Sequence, residues 1–227
     1  MLENKSTADI VKETIENDLY LLELLKEDII NHMALARKLL PSIRERNPKA
    51  TIESVAISLK RFIIQEKRFS ISEETKKIIS DSQLSTRNDV IHFTLHRNNQ
   101  VIRQLSQIAQ KIKWEYEEVF LLNQGPGEVT VIIDQKNKHL LDVCKNDVIE
   151  TTAKLSLLSI KESQKNTKKS IEVPGVYHHF ISILSRRGIN IVELISSLSQ
   201  LSFVLHSKDL LKAYELLDKN IQYFRKD

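Results

Sequence analysis

One order of elements, strand–helix–strand–strand–helix–strand, is written twice in this chain, over residues 89–153 and again over 154–227. An order repeated within one chain constrains the fold more than any single element does. The first copy opens with VIHFTLH, where Val90, His92, Thr94 and His96 alternate with Ile91, Phe93 and Leu95 as in a half-buried strand. Val101, Leu105, Ile108 and Ile112 then recur at helical spacing. YEEVFLLN and VTVIIDQ flank the turn Gly125 to Glu128 and predict a hairpin. NKHLLDVCKND reads as a short helix and VIETTAK as a closing strand. In the second copy KLSLLSIK is a strand, followed by the polar loop QKNTKKSIEV and a helix burying Val176, Phe180, Ile183 and Leu184. Pro174 suits that helix's first turn and Gly188 its stop. INIVELISSL and LSFVLHS form a hairpin about Ser199 and Gln200. Leu210, Ala213, Leu217 and Ile221 mark the second helix, and IQYF is expected as a short edge strand.

Each copy fits a ferredoxin-like βαββαβ sandwich, with four antiparallel strands under two helices. The uncovered sheet face and edges of such a unit predict pairing between units. The fold class expected is α+β, with a helical module ahead of two such units.

Residues 1–68 carry helical periodicity instead. Ile10, Val11 and Ile15 share one face, and Leu19, Leu22 and Leu25 continue the pattern. HMALARKLL runs up to Pro41, which stops or restarts its helix. After the turn at Asn47 and Pro48, Thr51 is a good N-cap for TIESVAISLKRFIIQ, with Ile52, Val55, Leu59, Phe62 and Ile63 on one side. Residues 69–88 are assigned to a linker holding one short helix, SEETKKIIS, with the boundary at STRND.

The single cysteine, Cys144, excludes an intramolecular disulfide and a thiolate metal cluster. The start, MLENKSTADI, has no apolar h-region, so no signal peptide is expected, and no apolar run approaches the roughly 18–20 residues of a membrane span. A cytoplasmic location follows as an expectation. The formal net charge of +4 is small, but its distribution is uneven. Residues 1–32 hold three lysines against eight acids, whereas residues 33–68 hold nine basic residues against three glutamates. That asymmetry hints at an anionic partner.

Catalytic patterns are weak. Ser196, Ser197, Ser199 and Ser202 lie in or beside a hairpin without a Gly-x-Ser-x-Gly elbow, and read as hydroxyls of strand surface and turn. His92 and His96 share a strand face and His178 and His179 are adjacent, yet neither pair has a carboxylate or thiol at ligand spacing. Gly125, Pro126 and Gly127 lack the Lys-Ser of a phosphate cradle and read as a turn. Neither an enzyme activity nor a cofactor nor a metal site is expected.

The second copy resembles an ACT domain, the small-molecule sensor of aspartokinases and many amino-acid enzymes. The resemblance rests on Val173 to Leu217: the Pro-Gly opening a helix, the Gly-x-Asn-Ile opening a strand, ISSLSQLSFVL as the hairpin, and KDLLKAYELL as the following helix. The acidic residue usual before the Pro-Gly is out of place, though Glu172 is near, and the preceding loop is long and basic. The first copy matches only in element order and has Arg97, Asn98 and Asn99 where the Pro-Gly would stand. The whole chain resembles archaeal ACT-domain proteins classed as predicted regulators of amino-acid metabolism, through ALARKLLPSIRE and TIESVAISLKRF.

The resemblance implies a non-catalytic, allosteric regulator that binds an amino acid or related metabolite where ACT units meet, as a dimer or tetramer. The ligand-binding residues expected are Pro174, Gly175, Val176, Tyr177, Ile189, Asn190 and Ile191. The helix start at Pro174 offers free N–H groups to a carboxylate, and Asn190 offers an amide. The alternative is a DNA-binding transcriptional regulator that its ACT units merely assemble. A groove-facing stripe would comprise Ser54, Ser58, Arg61 and Gln65, with Lys38, Arg44 and Arg46 on phosphate and Lys60 as a further nucleic-acid contact. The gap between ALARKLL and TIESV is too long for a tight turn unless Pro41 to Arg46 extends the first helix. A biosynthetic enzyme as partner is a third reading.

Overall fold

A computed structural model describes residues 5–26, 29–65, 71–163 and 172–226. The chain divides into two compact units, residues 1–71 and 72–227.

In the first unit the helical periodicities become α1 (Thr7–Glu16), α2 (Leu19–Lys26), α3 (His32–Arg46) and α4 (Ile52–Gln65). Local chemistry sets their ends. Ser6 and Asp9 form a reciprocal capping box at α1, and the Asn31 side chain caps α3. At α4, Thr51 Oγ1 accepts from the Ser54 N–H while Ser54 Oγ accepts from the Thr51 N–H. Ile10, Val11, Ile15, Leu35, Ile43, Val55 and Leu59 are among the side chains these helices bury together. Pro41 neither stops nor restarts α3 but lies within it, on the exposed side, with Leu40 and Ile43 buried around it. The apolar stripe on both sides outweighs the one hydrogen bond that proline removes.

The second unit is a six-stranded antiparallel sheet with the order β2-β3-β1-β4-β6-β5. Its strands are β1 (Gln83–His96), β2 (Phe120–Gln124), β3 (Glu128–Asp134), β4 (Val148–Lys161), β5 (Ile191–Ser197) and β6 (Gln200–His206). Its helices are α5 (Glu73–Ser80), α6 (Asn99–Ala109), α7 (Val176–Ser185) and α8 (Leu210–Lys226), and a long 3₁₀ stretch covers Gln135–Asp147. Strands β1 and β4, 14 residues each, run the length of both halves of the sheet. Midway along them Asp89 and Lys154 take positive φ of 56° and 59°, and the register shifts between Arg87 and Val90. A bulge of this kind changes the phase of side-chain alternation. Leu84 therefore packs on the core of α5, α7 and α8, while Ile91, Phe93 and Leu95 pack on the core of α6.

The opposite, inner face carries its own cluster: Val90, Ile132, Leu155, Leu157 and Val204. Edge strands β2 and β5 stand at opposite ends of the strand order, yet Asn123 Nδ2 of β2 donates to Glu193 Oε1 of β5 at 2.9 Å. The sheet thus curls round this inner cluster and keeps its helices outside.

Three sequence expectations change. Residues 73–88 are not a linker: α5 buries Ile78 and Ile79, and Ser85 to Asp89 lie inside β1. IQYF is not a strand: Ile221 extends the buried seam Ala213–Leu217–Ile221 of α8 by one turn. The strand that completes the second half-sheet is the first part of β1, pairing Gln83–Arg87 with Lys161–Leu157. Finally, VIETTAK and KLSLLSIK are one continuous β4, so the boundary drawn at 153/154 falls within a strand.

Candidate functional site at the start of helix α7

Helix α7 is preceded by Val173, Pro174 and Gly175, and Gly175 serves as its N-cap with φ 98°. A residue in that conformation strongly favours glycine, and glycine brings no side chain to occupy the helix's leading N–H groups. Among the described residues no side chain caps α7. A cavity of about 580 Å³ opens at this point. One wall is the helix start, Gly175 to His178 with Val173, and the other is the β5–β6 tip, Ser196, Ser197 and Leu198. Val176 is anchored in the core beneath, while Tyr177 is half-buried and His178 exposed. The lining combines the glycine-led helix start, two hydroxyls, a phenol and an imidazole with apolar Val173 and Leu198. That set suits a small molecule with one carboxylate directed at the helix and a compact body between walls.

The seven residues named from sequence divide. Gly175, Val176 and Tyr177 line the cavity, with Pro174 exposed beside them. Ile189, Asn190 and Ile191 lie beyond the other end of the ten-residue α7, roughly 15 Å away at about 1.5 Å per residue. Gly188, with φ 71°, ends the helix there, and the Ile189 N–H donates to the Leu184 carbonyl at 3.1 Å. Ile189 is buried in the core, Ile191 packs against it, and Asn190 is exposed. Within one chain Asn190 therefore does not face Gly175. Sequence reasoning missed Ser196 and Ser197, assigned to hairpin surface. The available signal was topological: in a βαββ unit the hairpin tip returns to the end where the first helix starts.

The matching place in the first half is filled. The Asn98 side chain accepts from the Val101 N–H at 2.9 Å and donates to Asp147 at 2.7 Å. Arg97 joins the helix start to the β2–β3 turn: its N–H donates to the Gly127 carbonyl at 2.9 Å and its Nη1 to that of Pro126 at 3.0 Å.

The histidines are structural or exposed. His179 sits edge-on to Phe180 and Phe224, with Nε2 2.7 Å from Asn220 Oδ1, and burial lowers its pKa. His92 is buried on the inner face, and His96 is exposed. Cys144 is buried, with Sγ 3.3 Å from Gln104 Oε1, and desolvation raises its thiol pKa. Among the described residues no three His, Cys, Asp or Glu side chains cluster to hold a metal ion, and no helix is long and apolar enough to cross a membrane.

Of the basic stripe in the first unit, Lys38, Lys60 and Arg61 are exposed. Arg44 Nε donates to the Ala50 carbonyl at 3.0 Å, and Arg46 pairs with Glu13. Ser54 and Ser58 donate back to the carbonyls of Thr51 and Ser54. The side chain of Gln65 lies outside the described residues.

No protein-family model and no curated protein matches the chain. Solved structures do. Aspartate kinase from Clostridium acetobutylicum superposes with a TM-score of 0.50 at 13% identity, over 61% of this chain and 34% of that one. This chain thus corresponds to about a third of that enzyme's length. A structure of aspartokinase alpha and beta subunits gives a TM-score of 0.50 at 12% identity, over 66% and 99%. The regulatory subunit of aspartate kinase from Thermus thermophilus, ligand-free, gives 0.46 at 13%, over 60% and 95%. At these identities the likeness is one of fold: a mixed α/β unit on an antiparallel six-stranded sheet, of the kind found in aspartate kinase chains.

Proposed function

We propose that the chain is a non-catalytic regulatory protein. Its residues 72–227 act as two ACT-like units on one sheet, and it binds an amino acid or a related carboxylate metabolite at the start of α7. Occupancy changes how a dimer or tetramer, or a partner such as a biosynthetic enzyme, is engaged in the cytoplasm. The observation that carries this is the glycine-led helix start, without a side-chain cap among the described residues, opening into a cavity of about 580 Å³ with hydroxyls opposite. The shared fold supports it, since one neighbour is described as an allosteric enzyme. Pro174 to Tyr177 contact the ligand from one subunit. Ile189, Asn190 and Ile191 reach it only from a neighbouring copy, because α7 separates the two sets. Any ligand that prefers one arrangement of subunits shifts the assembly by that preference. Titration calorimetry of the full chain against the twenty amino acids tests the reading. Binding that weakens on Gly175→Asn, with a shift in sedimentation, supports it; no heat at millimolar concentration and an unchanged oligomer overturn it.

A second reading keeps the DNA-binding alternative for the first unit. Because α3 continues through Pro41 to Arg46, only residues 47–51 separate it from α4, and Lys38, Lys60 and Arg61 are exposed on these helices. Arg44 and Arg46 each already bond within the unit, Arg44 through Nε and Arg46 through its pair with Glu13. Salt-dependent DNA retention that falls on Lys60→Ala with Arg61→Ala supports this reading, and no retention at low salt sinks it.

A further inference from the structure

Glu193 is where the two half-sheets meet by side chain across the inner face. Its Oε1 accepts from Asn123 Nδ2 on β2 at 2.9 Å, and its Oε2 lies 3.4 Å from His92 Nε2 on β1. Both partners belong to the first half and Glu193 to the second. His92 is 8% exposed, and its Nδ1 is buried without a hydrogen bond among the described residues. The contact through Nε2 therefore fixes the ring's polar side. Strand β5 is held differently from its neighbours. It is an edge strand, bonded along its backbone to β6 alone, and its register slips between Ile191 and Glu193. An edge strand with an irregular ladder is the part of a sheet that shifts at least cost. Three and four residues beyond Glu193, the same strand supplies Ser196 and Ser197 to the cavity wall.

We propose that β5 is a transmitting strand: a change at the cavity by α7 displaces its tip, and Glu193 passes that displacement to His92 and Asn123 in the first half. The regulatory meaning rests on the ligand-binding reading above, whereas the mechanical link does not. Any group filling the space between Gly175 and Ser197 pushes on a short strand that one carboxylate ties to β1 and β2. The closed first half thereby senses the open second half without a site of its own.

Two measurements on the full chain test the link, neither needing the ligand. In hydrogen exchange, Glu193→Ala speeds the amides of β2 and β5 by about tenfold and leaves those of α6 near their original rates. In the second, Ser197→Trp fills the cavity from the strand side. The His92 imidazole resonances then shift and β2 exchange changes, and both responses vanish in the Glu193→Ala background. Leu198→Trp, at an exposed position on the same wall, serves if Ser197→Trp does not fold. Unchanged β2 exchange in Glu193→Ala overturns the proposal. A response to cavity filling that survives without Glu193 also overturns it. Intact coupling with no amino acid bound would overturn the ligand reading and leave the link standing.

Discussion

The first helices of the two half-sheets start in opposite ways on the same sheet. At α6, Asn98 supplies its own cap to Val101 and reaches Asp147, and Arg97 stitches the facing hairpin to the helix start. At α7, Gly175 turns in with positive φ, contributes no cap, and faces the hairpin tip across open space. The strands are shared and the helices lie on the same face, so the difference is local chemistry. Polar side chains at one helix start satisfy the amides from within. At the other, no side chain among the described residues does so. A duplicated architecture has thus divided into a braced half and an open half.

The largest effect should come from the open half's core. Phe180 is fully buried between α7 and the sheet, and Phe180→Ala should cost about 3–5 kcal/mol in urea unfolding. Leu105→Ala in the braced half should cost about 2–5 kcal/mol. Because β1 and β4 run through both halves, each variant should still lose fluorescence and far-ultraviolet signal of residues 72–227 in one transition. Two separated transitions would show that the halves fold apart. Next comes the brace itself: Asn98→Ala removes a cap and the bond to Asp147, and should cost about 1 kcal/mol. Its thermal midpoint, compared with that of Gly175→Asn, reads the comparison directly.

Much of this arrangement was legible in sequence, and the reasons for the rest are physical. The seam Val101–Leu105–Ile108 and the Gly188 stop each follow from one local rule and stand where that rule puts them. VIHFTLH is a strand as its alternation says, but one buried on both faces because the curled sheet covers Val90 and His92. STRND looked like a linker because a central strand at a bulge carries polar residues. Arg87 there pairs with buried Asp134 at 3.0 Å, a partner 47 residues away that no window reveals. IQYF looked like a strand because four residues carry too little periodicity to separate helix from strand. At the candidate site, Gly175 to Tyr177 were visible because Pro-Gly before an apolar helix is a local signal. Ser196 and Ser197 join them only through the return of the hairpin. Asn190 was grouped with them because a linear motif does not display the length of the helix between.

The braced half also carries the clearer dependence on pH. Buried Glu118 has its pKa lowered from 4.5 to about 2, chiefly by Lys136 and then by the Lys113 N–H, with Asn137 adding a further bond. The folded chain holds this proton more weakly than the unfolded chain does. The stability involved is therefore fully present above about pH 4.5 and is lost as pH falls toward about 2. Glu118→Gln should therefore lower stability at neutral pH and flatten the acid limb, its profile converging on that of the parent chain as pH falls toward about 2. An acid limb unchanged in slope would remove Glu118 from the account. His179, whose pKa burial lowers, is the corresponding group in the open half and should stay neutral to lower pH than an exposed imidazole in an NMR titration.

The smallest effect on stability should accompany the sharpest test of the open half. Ser197 is exposed and lines the cavity, so Ser197→Ala removes a hydroxyl from a wet surface and should change stability by less than about 0.5 kcal/mol. If a ligand lies between the α7 amides and this hydroxyl, the same change should weaken its binding by about 0.5–1.5 kcal/mol, the ordinary worth of one hydrogen bond. The braced half offers no counterpart, because its helix amide is already bonded to Asn98. Opening it with Asn98→Gly, which frees the amide while keeping a residue tolerated at a cap, should create no binding on its own. The stitch from Arg97 to Pro126 would still hold the hairpin against the helix start. Only the pair Asn98→Gly with Arg97→Ala imitates the open half. If binding in that pair doubled in stoichiometry, the cap and the stitch together would be what separates a braced unit from a binding one.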